Sequence, residues 1–262
     1  MNPLHSILRK SLSSISFIWK KIKPTNGITV LMYHRINDKN ASGNLDVPIR
    51  NFEEQMKYLV QKKYKTLSLK EFKELLYGKK RGATRKKYIL ITFDDGWKDN
   101  YTNAFPILKK YSLKGTVFLV SQTIKNKKYF QYLSLEEIIE MEEYGIDFGS
   151  HTLSHKELTK LEPAKAKMEI NQSKLSLEKL LHKPVVSFCY PRGKLNSNIV
   201  SYVSKAGYEL AFTIYPGKNT PKTNPLILKR TEISGNDSFF DFKKKLTGSY
   251  DWLHKLVQKK NK

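Results

Sequence analysis

Short apolar runs alternate with amphipathic segments from residue 28 onward, and this alternation constrains the fold more than any other feature of the chain. Seven runs are too short for helices and mostly rich in β-branched or aromatic residues, which predicts strands at 28–33, 88–93, 115–120, 147–149, 185–190, 210–214 and 226–229. The amphipathic segments predict helices at 51–62, 69–76, 100–111, 135–144, 163–181 and 197–206. Such alternation is typical of an α/β protein, in which helices wrap a parallel sheet. About seven strand–helix units favour a barrel, whose chemistry lies in the loops that follow the carboxyl ends of the strands.

Basic segments flank this alternating region at both ends of the chain. In residues 1–27 the apolar side chains fall on one arc of a helix and the basic ones opposite, so we predict an amphipathic helix. This helix either lies on an anionic membrane surface or packs on the domain or a partner. Residues 251–262 are a basic tail, and one or two basic helices are expected within 239–262. With 48 Lys and Arg against 24 Asp and Glu, the formal charge of +24 favours an anionic neighbour.

The composition of the 262 residues also excludes several classes of protein. Cys189 is the one cysteine, so we expect no disulfide partner and no multi-cysteine metal site. The longest early uncharged run, residues 11–19, is too short for a membrane span and has no cleavage site after it, so neither a transmembrane helix nor a signal peptide is expected. Nucleic acid is not expected as a partner, because arginine is scarce, lysine is spread evenly and no known nucleic-acid module is present.

Two adjacent carboxylates end one of the predicted strands. The apolar run 88–93 leads directly into Asp94, Asp95 and Gly96. Neighbouring side chains at a strand end point in different directions, so one carboxylate can bind a cation while the other faces a water molecule. The same three residue types are ordinary turn formers, and the motif alone leaves a simple turn open as an alternative.

Two histidines follow another predicted strand. The spacing of His151 and His155 places two imidazoles on the same side of a helical turn, where they can share one metal ion. A carboxylate with two histidines leaves coordination positions open for water and substrate, which is typical of a catalytic metal site. We expect one divalent metal ion, with zinc as the first choice, although iron, cobalt and nickel also fit these ligands.

The segments 92–96 (TFDDG) and 151–155 (HTLSH) together resemble the first two motifs of the polysaccharide deacetylases, the NodB homology domain of carbohydrate esterase family four. The resemblance spans residues 28–250, which we take as one catalytic domain. It implies a distorted, incomplete (β/α) barrel of the NodB type. It also implies that Asp95, His151 and His155 are the metal ligands and that Asp94 is the catalytic base.

The third motif of this family, Arg-x-Pro followed by an aromatic residue and glycine, is matched imperfectly by residues 188–193 (FCYPRG). Cys189 stands at the arginine position and Arg192 at the aromatic position. The resemblance implies an oxyanion-holding and substrate-binding role for this segment, in Tyr190, Pro191 and Arg192. The backbone N–H of Arg192 can still serve the oxyanion, because a main-chain donor is insensitive to side-chain identity.

The substitution at Cys189 removes the guanidinium that the family places beside its base. Either Arg192 or Arg230 could replace it beside Asp94, and Arg230 is our candidate for orienting that carboxylate. Without an evident activating base nearby in sequence, Cys189 is expected to be a packed thiol and not a nucleophile.

The usual C-terminal Leu-x-His motif, which supplies the catalytic acid in the family, is absent. The first predicted strand instead ends in Tyr33, His34 and Arg35. This ending resembles the circularly shifted branch that deacetylates biofilm poly-N-acetylglucosamine, in which the acid histidine comes from an N-terminal segment. His34 is therefore the candidate general acid, and a solvent-facing loop histidine is the alternative.

These expectations combine into a metal-dependent hydrolase that removes N-acetyl groups from an amino-sugar polysaccharide or a lipid-linked glycan. In this interpretation Asp94 takes a proton from water and His34 protonates the leaving amine. A non-catalytic carbohydrate-binding relative is the alternative, suggested by the altered third motif. The expected partners are an N-acetylated glycan and an anionic membrane surface, in a bacterial protein peripheral to the membrane. The sequence does not decide between the cytoplasmic face and the cell envelope.

Overall fold

A computed structural model describes residues 27–39, 43–78, 87–124 and 127–249. Its strands are β1 (Thr29–Tyr33), β2 (Arg35–Ile36), β3 (Asp46–Val47), β4 (Tyr64–Thr66), β5 (Lys87–Phe93), β6 (Thr116–Leu119), β7 (Asp147–Ser150), β8 (Ser187–Cys189), β9 (Leu210–Phe212) and β10 (Thr231–Glu232). The main sheet follows the path β10-β1-β5-β6-β7-β8-β9, and every pairing along it is parallel. β4 pairs with the start of β5, and β2 pairs with β3 in a separate ladder. This curled parallel sheet confirms the predicted α/β, barrel-like class.

Seven α-helices of the described ranges surround the sheet. They are α1 (Ile49–Gln61), α2 (Leu69–Tyr77), α3 (Phe105–Lys110), α4 (Leu135–Tyr144), α5 (Pro163–Leu181), α6 (Ser197–Lys205) and α7 (Phe239–Thr247). A π-helical turn, Asn100–Ala104, precedes α3. Three helices begin at a capping box, in which a serine and an acidic residue three positions later satisfy each other's backbone N–H groups. This local chemistry fixes where α2, α4 and α7 start.

The alternation of side chains along the strands separates two apolar layers. One set, which includes Val30, Leu90, Phe118 and Phe212, forms a cluster closed by the apolar face of α2. The opposite set, which includes Leu31, Ile91 and Val117, packs against the other helices. Because successive side chains of a strand point to opposite faces, the first set lines the concave side of the curled sheet.

The chain segment around β10 contacts both β9 and β1. Leu228 forms a parallel bridge with Phe212 of β9, and three residues later Thr231 pairs with Leu31 of β1. Arg230 lies between these two contacts and is fully buried. The curl of the sheet therefore brings the Arg230 side chain, which comes late in the sequence of the domain, to the side of β5.

The structure departs from the predicted elements in several short strands and in one helix. The strand expected at 226–229 is reduced to the bridge at Leu228, and the regular strand comes at β10. β2, β3 and β4 were missed because two or three residues are too few for a periodicity. The helix expected at 100–111 begins as a π-helical turn.

The terminal predictions fall mostly outside the described residues. α7 agrees with a helix in 239–262, whereas residues 1–26 and 250–262 are not described, so the amphipathic helix and the basic tail stay predictions. Within the described ranges, no helix combines the length and apolarity that a bilayer span requires.

Candidate active site

The loops that follow the parallel strands bring the predicted site residues to one edge of the sheet. Asp94 follows β5, and its backbone N–H donates to the carbonyl of Tyr33 on β1 at 2.9 Å. His151 follows β7, and its backbone N–H donates to the carbonyl of Leu119 on β6 at 2.8 Å. Each residue thus extends the hydrogen-bond ladder between its own strand and a neighbouring strand by one residue. These bonds fix the two backbones at the carboxyl edge of the sheet, where the active sites of barrel enzymes lie.

Asp95, His151 and His155 form a cluster of three possible metal ligands. Oδ1 of Asp95 lies 3.5 Å from Nε2 of His151 and 3.4 Å from Nε2 of His155. Ligand atoms about 2.0–2.1 Å from a tetrahedral zinc ion lie roughly 3.3–3.4 Å from one another, so both separations fit such an ion. Three protein ligands leave one tetrahedral position open, as a catalytic site requires.

Hydrogen bonds determine which atom two of these residues present. Nδ1 of His151 lies 2.8 Å from the carbonyl oxygen of Cys189, which can only accept, so Nδ1 is the donor and the neutral tautomer of the ring presents Nε2 as a ligand atom. The indole of Trp97 donates to Oδ2 of Asp95 at 2.9 Å, and Oδ1 faces the histidines. Burial and the neighbouring His151 lower the pKa of His155, which favours the neutral imidazole that binds metals. The donor set and its outer contacts therefore fit a divalent metal ion.

The two histidines reach this geometry through an irregular loop, and the helical turn predicted from their spacing was wrong. Residues 151–155 contain no helix, and both Thr152 (φ 67°) and His155 (φ 61°) have left-handed backbones. The backbone N–H of His155 donates to Oγ1 of Thr152 at 3.0 Å, so a side chain replaces the helical bond. The rings nevertheless lie 4.7 Å apart.

Left-handed backbone conformations are concentrated at the site. Of seven non-glycine residues with positive φ in the described ranges, four lie in its loops: Asp95, Thr152, His155 and Arg192. Each such conformation costs of order 1 kcal/mol or more and persists only where the surroundings hold it. Glu169, buried on α5, accepts hydrogen bonds from both the backbone N–H and the hydroxyl of Ser154 and so secures the histidine loop.

Arg230 forms a bidentate pair with Asp94. Its Nη1 donates to Oδ1 at 2.6 Å and its Nη2 to Oδ2 at 2.7 Å, while Nε donates to the carbonyl of Thr213 at 2.9 Å. Burial alone would raise the pKa of Asp94, but the Arg230 guanidinium outweighs it and holds that pKa well below its usual range. Asp94 is therefore ionised at neutral pH. Of the two arginines that the sequence left open, Arg230 occupies this position.

The altered third motif follows β8 in a tight turn. Tyr190 and Pro191 are buried, and the hydroxyl of Tyr190 donates to the carbonyl of Leu226 at 3.0 Å, so the Tyr190 side chain supports the loop and is closed to a substrate. Arg192 is exposed with φ 57°, and its backbone N–H meets no acceptor among the described residues. This donor remains free for an oxyanion. Gly193 is required beside it, because its φ is 63° and a Cβ there would lie 2.2 Å from Cγ1 of Ile214.

His34 lies beside Asp94 at the end of β1. Its Nε2 is 4.0 Å from Oδ2 of Asp94, and 18% of its side chain is exposed, so it borders the site and remains accessible. The π-helical turn holds its backbone, since Asn100 donates from its side chain to the carbonyl of His34 at 2.9 Å. The side chain of Asn103 likewise donates to the carbonyl of Ile36 at 2.7 Å.

Sequence reasoning missed three groups that shape the site. Trp97 follows the first motif directly, and its place two residues after a proposed ligand was an available signal. Asp99 and Asn100 stood at the start of a predicted helix, where capping is the ordinary interpretation. Glu169 gave no signal, because only the fold shows that this position of α5 is buried. The buried, inactive thiol expected at Cys189 agrees with the structure, where burial raises its pKa well above the ordinary value.

Comparison with known sequences points to one family. The polysaccharide deacetylase family model matches residues 81–211. YxkH of Bacillus subtilis, which bears the polysaccharide deacetylase name, is 35% identical over 216 residues, or 82% of this chain and 75% of that protein. A poly-β-1,6-N-acetyl-D-glucosamine N-deacetylase of Staphylococcus aureus is 30% identical over 253 residues, or 92% of this chain and 86% of that protein.

Solved structures agree with this family. The Streptococcus pyogenes deacetylase PplD, solved with acetate, superimposes with a TM-score of 0.77 at 28% identity, covering 86% of this chain and 99% of that one. IcaB of Ammonifex degensii gives a TM-score of 0.74 at 24% identity, covering 87% of this chain and 98% of that one, and supports the fold. The resemblance drawn from two short motifs is confirmed.

Proposed function

The chain belongs to the polysaccharide deacetylase family and is a polysaccharide N-deacetylase, and we propose that it hydrolyses N-acetyl groups of a bacterial N-acetylglucosamine polymer in a metal-dependent reaction. The observation that carries this proposal is the convergence of two sets of residues at one sheet edge. The cluster of Asp95, His151 and His155 has separations that suit a metal ion, and directly beside it Asp94 is paired to Arg230. The Staphylococcus aureus relative named for poly-β-1,6-N-acetyl-D-glucosamine supports the polymer as substrate class, and a lipid-linked glycan of the same sugar is the alternative.

A divalent ion held by Asp95, His151 and His155 would supply Lewis-acid chemistry, polarising a carbonyl and acidifying a water molecule. Asp94 is the proposed base, because its low pKa keeps it ionised and able to accept a proton from the attacking water. Arg230 keeps the carboxylate in one orientation through its two hydrogen bonds.

His34 is the proposed acid that protonates the leaving amine nitrogen. Its Nε2 lies 4.0 Å from Oδ2 of Asp94, and this separation supports the proposal that acid and base act on the same amide. The backbone N–H of Arg192 is the proposed oxyanion donor, because it has no acceptor among the described residues and lies in the loop after β8. Tyr190 and Pro191 would hold that loop in place through their burial.

Acetate release from a β-1,6-linked N-acetylglucosamine oligomer tests this assignment. Asp94→Asn and His34→Asn should each lower kcat about 10²–10⁴-fold, the usual contribution of a positioned acid or base. The matched controls are Asp38→Asn, whose carboxylate accepts the backbone N–H of Ile49, and His182→Asn, an exposed histidine that ends α5; both should keep wild-type turnover. Full acetate release by the folded Asp94→Asn variant would reject Asp94 as the base.

The ion itself is proposed to be zinc, bound as one equivalent. Elemental analysis of the purified protein should find about one zinc per chain, and dialysis against a chelator should abolish acetate release until zinc is added back. Finding iron, cobalt or nickel in place of zinc would reject zinc as the bound metal but would not contradict the proposed ligands. A protein that binds the oligomer but releases no acetate with any of these metals would instead be the non-catalytic carbohydrate-binding relative.

We also propose that residues 1–27 attach the enzyme to an anionic membrane surface. The support is the basic amphipathic pattern of that segment together with the formal charge of +24. Flotation with vesicles containing phosphatidylglycerol should be lost when residues 1–27 are deleted. Unchanged flotation of the deletion variant would contradict the proposal.

A further inference from the structure

Trp97 touches the proposed metal ligand through its indole N–H. A carboxylate offers two oxygens, and a free one can bind a metal ion through either oxygen or both. Here Oδ2 of Asp95 accepts the Trp97 N–H at 2.9 Å, whereas Oδ1 lies 3.5 Å and 3.4 Å from the two histidine Nε2 atoms. The hydrogen bond thus makes the two oxygens different, because Oδ2 is bound to the Trp97 N–H and Oδ1 faces the histidines.

Two further side chains pack on the indole ring. Tyr132 stacks on it, with ring centroids 4.5 Å apart and an interplanar angle of 18°. The guanidinium of Arg35 lies over the ring, 4.6 Å from its centroid. Two backbone hydrogen bonds, Lys98 N–H to Gln131 O at 2.8 Å and Leu133 N–H to Gly96 O at 2.9 Å, pair the segment of Trp97 with that of Tyr132. Rotation of the indole away from Asp95 would disrupt these contacts.

Arg35 connects the same indole to the strand end that carries His34. Its Nε donates to Oδ2 of Asp99 at 2.9 Å, and Oδ1 of Asp99 accepts the backbone N–H of Ile36 at 3.1 Å. Arg35, the residue next to His34, is therefore held by its hydrogen bond to Asp99 and by its contact with the ring of Trp97.

We propose that Trp97 is a positioning residue that makes Asp95 a single-oxygen metal ligand and aligns it, through Arg35, with the strand that carries His34. This inference rests on the proposed metal-dependent function. A carboxylate that is already oriented loses less freedom when it binds an ion, so the hydrogen bond raises metal affinity without contacting the metal. It also keeps a coordination position free, because Oδ2 is not available as an additional ligand.

The test is Trp97→Phe, which keeps an aromatic ring for Arg35 and Tyr132 to pack on and removes the N–H donor. Zinc affinity is measured by competition with a chromophoric chelator, and we expect it to fall roughly 10- to 100-fold, the usual effect of losing such an outer contact. The control Tyr132→Phe keeps the stack and should bind zinc as the wild type does.

Cobalt gives a second readout that packing alone would not change. Four-coordinate Co²⁺ absorbs visible light more strongly than five- or six-coordinate Co²⁺, so a freed Asp95 that binds through both oxygens should weaken the absorption of the Trp97→Phe variant. Zinc affinity within twofold of wild type together with an unchanged cobalt spectrum would overturn the inference. A wild-type protein that binds neither ion would instead reject the proposed metal-dependent function.

Should Trp97→Phe not fold, the wild-type protein still decides the matter. In a ¹⁵N-labelled sample the indole N–H of Trp97 should exchange slowly with solvent and shift when Zn²⁺ is added. Fast exchange with no shift on Zn²⁺ addition would show that the indole does not hold the metal-binding carboxylate.

Discussion

The buried pair of Arg230 and Asp94 allows a quantitative test of how the proposed base is held. Arg230→Met replaces the guanidinium by an apolar chain of similar length and leaves a carboxylate that is only 3% exposed without its cation. Two charge-assisted hydrogen bonds, at 2.6 Å and 2.7 Å, are lost. At about 1.5–3 kcal/mol each, they predict a loss of about 3–6 kcal/mol in the free energy of unfolding, in line with about 3–5 kcal/mol for breaking a buried pair.

The expected change is large enough to measure by thermal unfolding of the metal-free protein. A domain of this size loses roughly 2–4 °C in Tm per kcal/mol, so the predicted loss of about 3–6 kcal/mol should make Arg230→Met melt about 6–24 °C below wild type. Asp94→Asn leaves the cation unpaired and should also destabilise. The double variant removes both charges, and it should therefore lose clearly less stability than the sum of the two single variants.

An exposed ion pair of equal length provides the control. Lys73 and Glu209 lie 2.6 Å apart with side chains 47% and 45% exposed, so Lys73→Met and Glu209→Gln should each cost less than about 1 kcal/mol. The shortest N···O distance is the same in both pairs, so a difference in cost would come from burial and from the second hydrogen bond of Arg230 and not from distance. Additive losses in Arg230→Met and Asp94→Asn, within about 0.5 kcal/mol, would refute the argument that the two charges stabilise each other.

Two further predictions concern stability and the oxyanion loop. Burial alone would raise the pKa of Glu71, but hydrogen bonds from the Ser68 backbone and from Lys114 and Lys65 lower it to about 2. The stabilisation from its charge is therefore fully present above about pH 4.3 and is lost as the pH falls through about 2. Because solvent screens this partly exposed group, Glu71→Gln should cost only about 1 kcal/mol in urea unfolding at pH 7 and much less at pH 2. Gly193→Ala forces a Cβ against Ile214 at φ 63° and should cost more than about 1 kcal/mol. It should also lower kcat for acetate release while zinc affinity stays constant, and wild-type turnover would show that this loop does not hold the oxyanion.

The parallel sheet could be predicted because buried strands leave a signal that does not depend on the rest of the fold. The run 88–93 is apolar or aromatic except for Thr92, and the strand found there is buried over its last five residues. The two carboxylates that follow could then be placed at the carboxyl edge from topology alone. Short elements such as β4 have no such signal, since three residues fit many patterns and only pairing with β5 makes them a strand.

The loop geometry could not be predicted, because it depends on groups that are distant in sequence. The four-residue spacing of His151 and His155 suggested a helical turn, yet left-handed residues and a buried Glu169 bring the rings together. The spacing in sequence predicts that the two imidazoles can lie close together, whereas the packing of α5 against their loop determines the backbone conformation that brings them there. Trp97 shows the same limit, since its contacts with Arg35 and Tyr132 cross gaps of 62 and 35 positions in the chain, counted from their residue numbers.

The loss of the third-motif arginine and the presence of Arg230 are two parts of one arrangement. Sγ of Cys189 lies 3.0 Å from Nη2 of Arg230 and 3.5 Å from Oδ2 of Asp94, so side chains from β8 and from beside β10 converge on the same carboxylate. Arg230 lies over the ring of Phe118, 5.7 Å from its centroid, within the concave side of the sheet. A second guanidinium at position 189 would place two like charges in this fully buried space beside a single anion, at a large desolvation cost. A small neutral side chain at 189 therefore leaves room for Arg230, and the proposed base keeps one bidentate partner, which comes from the segment before β10.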